Sequence, residues 1–187
     1  MTIEQRRERE GLVFLALFSL TIPAANWLIG HVGTECVPKG PCLIPVAPGL
    51  TAPSGVTLIG IALVLRDLVQ RRLGVGVSVV AIIVGAVLSS LIAPTALVVA
   101  STVAFLMSEF ADLAVYTPLA RRRLVTAVVA SSMVGLIVDS IVFLYLAFGS
   151  LDFLLGQIVG KAWMVLASIP LVAWLRRRDE RLGLMPA

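Results

Sequence analysis

Six apolar runs, each close to the length of a bilayer crossing and flanked by arginines at alternate ends, restrict what this chain can fold into. Hydrocarbon offers no partner to backbone N–H and C=O groups, so a run of roughly 20 apolar residues crosses as a helix. The runs cover about 11-29, 53-70, 77-92, 95-116, 124-148 and 153-175. Arg6, Arg7, Arg9, Arg71, Arg72, Arg121, Arg122, Arg123, Arg176, Arg177, Arg178 and Arg181 all fall on one side of the series. The segments on the other side hold Lys39 as their clear cation. This asymmetry predicts that both termini are cytoplasmic. The expected fold is an all-α integral membrane protein with six transmembrane helices, forming one domain over residues 1-187.

Composition agrees with that reading. Only 14% of residues are charged and mean hydropathy is +1.02, whereas a soluble domain keeps about 25% charged residues. A net charge of +4 and a pI near 9.7 raise the question of nucleic acid. The arginines flank apolar runs, however, and serve the membrane ends instead. The first ten residues are mixed in charge and the first apolar run is long, which disfavours a cleaved signal peptide. The chain has no Gly-x-x-x-x-Gly-Lys-Ser/Thr phosphate loop, so a primary pump would need a partner ATPase. With His31 as the lone histidine, neither a hydrolytic triad nor a zinc site can be assembled. No enzyme activity and no cofactor or metal is expected.

The segments between runs carry their own signals. Residues 31-50 hold four prolines with Cys36 and Cys42 and read as a loop ordered by its prolines or by a disulfide. The spacing permits that bond without establishing it. Ser54 can cap the second helix, Gly74 and Gly76 suggest a tight turn, and Ala93-Pro94 ends the third run. Gly156 and Gly160 form a small-x-x-x-small pair that favours close packing, as Gly135 does with Ser131 and Ser132.

Charges inside the runs are harder to accommodate. Glu109 and Asp112 are three residues apart, so on a helix they share a face. A charge at mid-membrane costs roughly 2.5–3.5 kcal/mol on insertion scales and marks a functional pathway by default. Asp139 lies well inside the fifth run, where it can form a structural ion pair with Lys161 or Arg66, or belong to a solute or proton site. Gln157 and Lys161 share a face of the sixth. Arg66 can snorkel to the interface, and Asp67 can pair with Arg71. Counting Asp67, Glu109, Asp112 and Asp139 against Arg66 and Lys161 leaves two surplus negative charges. A dry bundle tolerates that poorly unless protons or a cation are present. Carboxylate acceptors opposite amide and ammonium donors suit a planar heterocycle with a guanine-like edge; an amino acid or a vitamin uses the same groups. Phe105, Tyr116, Phe143, Tyr145 and Trp163 are the aromatics near these faces.

Four stretches carry a resemblance. They are Leu65-Arg66-Asp67-Leu68-Val69-Gln70-Arg71-Arg72, Ser108-Glu109-Phe110-Ala111-Asp112-Leu113-Ala114-Val115-Tyr116-Thr117-Pro118, Val138-Asp139-Ser140-Ile141-Val142-Phe143, and Gly156-Gln157-Ile158-Val159-Gly160-Lys161. In this order, over residues 50-175, the chain resembles the VUT family of queuosine-precursor (7-deazaguanine) transporters. The resemblance implies a six-span protein of the bacterial inner (plasma) membrane that takes up 7-cyano-7-deazaguanine or 7-aminomethyl-7-deazaguanine. It implies Asp67, Glu109, Asp112, Asp139, Gln157 and Lys161 as substrate-binding positions. Two features depart from the pattern: Ser131 and Ser132 stand where relatives often have asparagine, and Glu109 where some have glutamine. The resulting expectation is a secondary carrier with its site among the second, fourth, fifth and sixth runs. In it Glu109 and Asp112 meet the guanine-like edge, while Gln157 and Lys161 face the carbonyl. The alternative is a vitamin-type binding subunit that needs a separate ATPase module. The lipid bilayer and a small deazapurine are the expected partners, and a homodimer is an option that the sequence leaves open.

Overall fold

A computed structural model describes residues 2–38, 40–93, 95–121 and 123–184. Lys39, Pro94 and Arg122, which entered the charge and boundary readings, lie outside the described residues. The elements run α1 (Ile3–His31), β1 (Glu35–Cys36), β2 (Cys42–Ala47), β3 (Leu50–Pro53), α2 (Val56–Leu73), α3 (Val75–Ile92), a 3-10 turn (Thr95–Leu97), α4 (Val98–Leu119), α5 (Leu124–Phe148) and α6 (Leu154–Leu182). Five helices are long and apolar enough to cross a membrane: all except α2.

Helix ends follow local chemistry. Thr2 caps α1 through a capping box with Gln5, donor and acceptor exchanged in both directions. The charged leader is therefore helical and precedes the apolar run without a break. Gly149 ends α5 with φ +65° and Gly183 ends α6 with the same φ, the left-handed conformation glycine adopts without steric cost. Gly74 alone separates α2 from α3, with φ +88°. Gly76 already lies inside α3, so the expected turn is one residue rather than three.

Residues 31-50 are more ordered than a loop. They supply most of a three-stranded antiparallel sheet in the order β1-β2-β3. The prolines argue against strands, but Pro45 sits beside a register irregularity between Pro45 and Ala47, the place where a strand tolerates proline. Cys36 and Cys42 are disulfide-bonded across the β1–β2 pair. The sheet also takes the residues expected to begin α2. Pro53 belongs to β3, and Ser54 Oγ donates to the Leu28 carbonyl at 2.7 Å rather than capping the helix. The α2 N-cap is Gly55.

The bundle is organised around its least apolar helix. α2 touches α1, α3, α4, α5 and α6. It buries Arg66, Asp67, Gln70, Arg71 and Arg72 together with its leucines and valines. Four charges within its eighteen residues disqualify it by composition as a span, and its neighbours enclose them. The outside is the reverse: Val80, Ile83, Val84, Val87 and Leu91 of α3 are exposed, as are Leu12, Leu17 and Leu20 of α1. A polar interior under an apolar exterior inverts the soluble pattern and suits a lipid surround.

Glycines allow the closest approaches. A Cβ on Gly60 would lie 2.6 Å from the Lys161 carbonyl, and one on Gly156 would lie 2.1 Å from the Thr51 carbonyl. A Cβ on Gly135 would meet Leu63 at 2.8 Å and Asp112 Cβ at 3.1 Å. The Gly156/Gly160 pair thus seats α6 against the hairpin and the start of α2, where Val46 and Val56 face Gly160.

Candidate functional site

Two buried cations organise the interior. Arg66, on α2, is fully buried and does not snorkel. Its guanidinium contacts Asp67 at 2.8 Å, hydrogen-bonds Asp112, donates to Gln70 Oε1 at 2.9 Å and lies 3.3 Å from Glu109. It also lies over the Tyr116 ring, 5.6 Å from the centroid. Glu109, Asp112 and Tyr116 come from one face of α4, as the i, i+3, i+7 spacing dictates. Asp67 further accepts from Ser131 Oγ of α5 at 2.9 Å. Asp67 does not pair with Arg71, which reaches Asp179 of α6 instead. Arginine suits this position because its fork serves several acceptors in one plane.

Lys161 forms the second centre. Its Nζ donates to Asp139 Oδ2 at 2.5 Å, Ser140 Oγ at 2.8 Å and Gln157 Oε1 at 2.5 Å. An ammonium has three N–H donors, and all three are spent within the protein. The ion-pair reading of Asp139 with Lys161 therefore describes the geometry, whereas a Lys161 that faces a solute carbonyl does not.

A partly open cavity lies between these centres and α1. Glu109, Asp139 and Gln157 line it, with Phe105 and Phe143 among its aromatic and apolar walls. Asp67, Asp112 and Lys161 are absent from its lining: Asp67 and Asp112 pair with Arg66, and Lys161 is the counter-charge of Asp139. Tyr116 is buried under Arg66, while Tyr145 and Trp163 are exposed on the outside. Of the sequence-derived candidates, Glu109, Asp139 and Gln157 reach the cavity; Lys161 bonds two of these, and Asp67 and Asp112 bond Arg66 or Ser131 instead.

In the sequence Arg66 is open to two readings, an interfacial side chain or a partner for Asp139; the structure gives it Asp67, Asp112 and Glu109 instead. The groups that α1 and α3 add to the cavity wall were not among the candidates. α1 supplies Thr21, Ile22 and Asn26 to the cavity wall, and Ser89 comes from α3. Their hydroxyls and amide resemble ordinary helix polar groups: Thr21 and Asn26 both bond backbone carbonyls one turn back. Among the described residues no group of three or more His, Cys, Asp or Glu side chains is disposed to hold a metal.

A third ionic cluster ties one end of the bundle. Asp179 accepts from Arg71 and Arg72, and Glu10 accepts from Arg72 and Arg178. It joins the start of α1, the end of α2 and the end of α6.

A helical bundle with an apolar exterior, ion pairs sealed inside and a cavity beside them is the make-up of a multi-pass membrane protein. Residues 92–175, a little under half of the chain, match the family model described as "Putative vitamin uptake transporter". No curated protein and no solved structure matches the chain.

Proposed function

We propose that the protein imports a queuosine precursor, 7-cyano-7-deazaguanine or 7-aminomethyl-7-deazaguanine, across the bacterial inner membrane as a secondary carrier. All six helices cross in this reading, α2 within the bundle, and both termini are cytoplasmic by the arginine asymmetry. The observation that carries it is the presence of Glu109, Asp139 and Gln157 on one cavity wall, with Phe105 and Phe143 beside them. A deazaguanine presents a ring N–H and an amino group, which a carboxylate accepts, and a carbonyl, which the Gln157 amide N–H serves. Gln157 Oε1 is already engaged by Lys161, which turns the amide's donor end to the solute. The flat ring packs against phenylalanine faces. Of the four-residue contact expected from sequence, Glu109 and Gln157 stay in this reading, Asp139 joins them in place of Asp112 and Lys161, and Asp67, Asp112 and Lys161 act as positioning residues.

Transport then requires the cavity to open alternately to each side. The two ionic centres, bridging α2 to α4 and α5 to α6, are the contacts that such a motion loads. Binding of radiolabelled deazapurine to the purified protein tests the reading, together with uptake in cells unable to make the precursor. Saturable binding that excess unlabelled deazapurine displaces is the expected result. Absence of binding at high micromolar concentration overturns the substrate assignment, and uptake only with a co-expressed ATPase favours the vitamin-type subunit.

A further inference from the structure

Away from the cavity, α1 and α6 part at the arginine-rich end of the bundle to leave a groove. Arg6, Arg9 and Arg178 line its outer part, and Phe14, Leu171 and Trp174 its deeper part. The register explains the layering. On α1, Arg6, Arg9 and Val13 follow i, i+3, i+7, and on α6, Leu171, Trp174 and Arg178 follow i, i+3, i+7, so each helix shows one stripe with cations at one end and apolar groups at the other.

The charge balance of this groove is positive. Glu10 is its one acid, and Glu10 is engaged by Arg72 at 3.0 Å and Arg178 at 2.5 Å. Among the described residues, Arg6 and Arg9 are in no ion pair, and Arg178 Nε is buried with no hydrogen-bond partner. The Arg178 guanidinium sits 5.2 Å over the Trp174 ring, and Trp174 is 54% exposed, the disposition of an interfacial tryptophan. Val13 and Leu171 are about half exposed beside it.

We propose that this groove binds an anionic phospholipid of the surrounding bilayer. Its phosphate is held by Arg6 and Arg9 next to Arg178, and an acyl chain runs along Val13, Phe14 and Leu171. Arginine forks match phosphate oxygens, and basic pockets between helices at this membrane depth suit acidic headgroups. The adjoining apolar wall distinguishes a lipid from a free anion, because a soluble phosphate leaves that wall in contact with nothing of its own. The occupied groove would staple α1 to α6 at the same end as the Glu10–Arg72–Asp179 cluster. This inference is independent of which solute the cavity takes.

The test uses the full-length protein in mild detergent, with thermal unfolding read against added lipid. Phosphatidylglycerol is expected to raise the midpoint by several degrees, and phosphatidylcholine and inorganic phosphate to leave it in place. In the Arg6→Gln/Arg9→Gln variant the apparent lipid affinity should fall roughly fivefold per arginine removed, whereas Arg181→Gln, at an exposed position off the groove, should behave as wild type. Arg9→Gln alone gives a smaller step in the same direction should the double variant express poorly. The proposal is overturned if both lipids stabilise equally, if inorganic phosphate reproduces the shift, or if the Arg6 and Arg9 variants retain the wild-type response.

Discussion

Arg66 Nε lies 3.3 Å from Glu109 Oε2, and neither atom completes a hydrogen bond. The same guanidinium hydrogen-bonds Asp112 and lies 2.8 Å from Asp67 Oδ1, an atom that likewise completes no hydrogen bond. Glu109 lies farthest from Arg66 of the three carboxylates, and it is the one that faces the cavity. Each of the three carboxylates keeps one oxygen without a hydrogen bond, but only that of Glu109 belongs to a residue on the cavity wall, where a solute donor can reach it.

Glu109→Gln should separate binding from folding. The amide keeps the shape and can still approach Arg66, so the thermal midpoint should move little. A charge-assisted hydrogen bond to the solute is lost, worth about 1.5–3 kcal/mol, so affinity for the labelled deazapurine should fall by at least roughly tenfold. Unchanged affinity in a folded variant would remove Glu109 from the binding site.

Arg66→Met should act on stability first. It leaves Asp67, Asp112 and Glu109 facing one another without a cation, and breaking a buried pair this way costs about 3–5 kcal/mol. Arg66→Lys should be intermediate, because an ammonium restores the charge but not the planar fork. Thermal unfolding in detergent checks the order: wild type, then Lys, then Met.

The Lys161–Asp139 pair lends itself to a double-variant cycle. Lys161→Met strands Asp139 and should destabilise strongly. Adding Asp139→Asn removes the stranded charge and should recover part of the loss, giving a coupling of about 0.5–3 kcal/mol. Additive losses would mean that the two side chains act separately. Uptake should stay low in every variant of the cycle, since Asp139 lines the cavity.

Glycine substitutions report on packing. Gly156→Ala puts a methyl 2.1 Å from the Thr51 carbonyl, so the hairpin must move off α6, at a cost of about 1–3 kcal/mol. Gly76→Ala meets nothing within 4 Å and should be neutral or stabilising by up to about 1 kcal/mol. Equal effects at the two positions would contradict the close contact between α6 and β3.

Much of the architecture was legible in the chain. Apolar run length and alternating arginines identified the helices, and the fifth run coincides with α5 at both ends. Hydropathy is a local property, and the cost of exposing backbone to hydrocarbon makes it decisive. The sheet over residues 35–53 was hidden by its prolines, because strand pairing depends on partners that local composition does not name. In the site, sequence singled out the charged side chains that are expensive to bury, and Asp67, Glu109, Asp112, Asp139 and Lys161 are all buried in the structure.

The division of roles needed the tertiary structure. In the chain Arg66 stands at the edge of a run, where snorkelling satisfies it; packing of α2 against five other helices takes that route away and leaves three carboxylates as its surroundings. Lys161 and Glu109 look equally available in sequence. One has all its donors occupied by residues on α5 and α6, and the other retains acceptor capacity beside a cavity. The sequence determined which groups had to be neutralised inside the membrane protein, because burial of charge is costly wherever it occurs. Only the fold decided which neutralise one another and which are left for a solute, because that depends on distances between helices far apart along the chain.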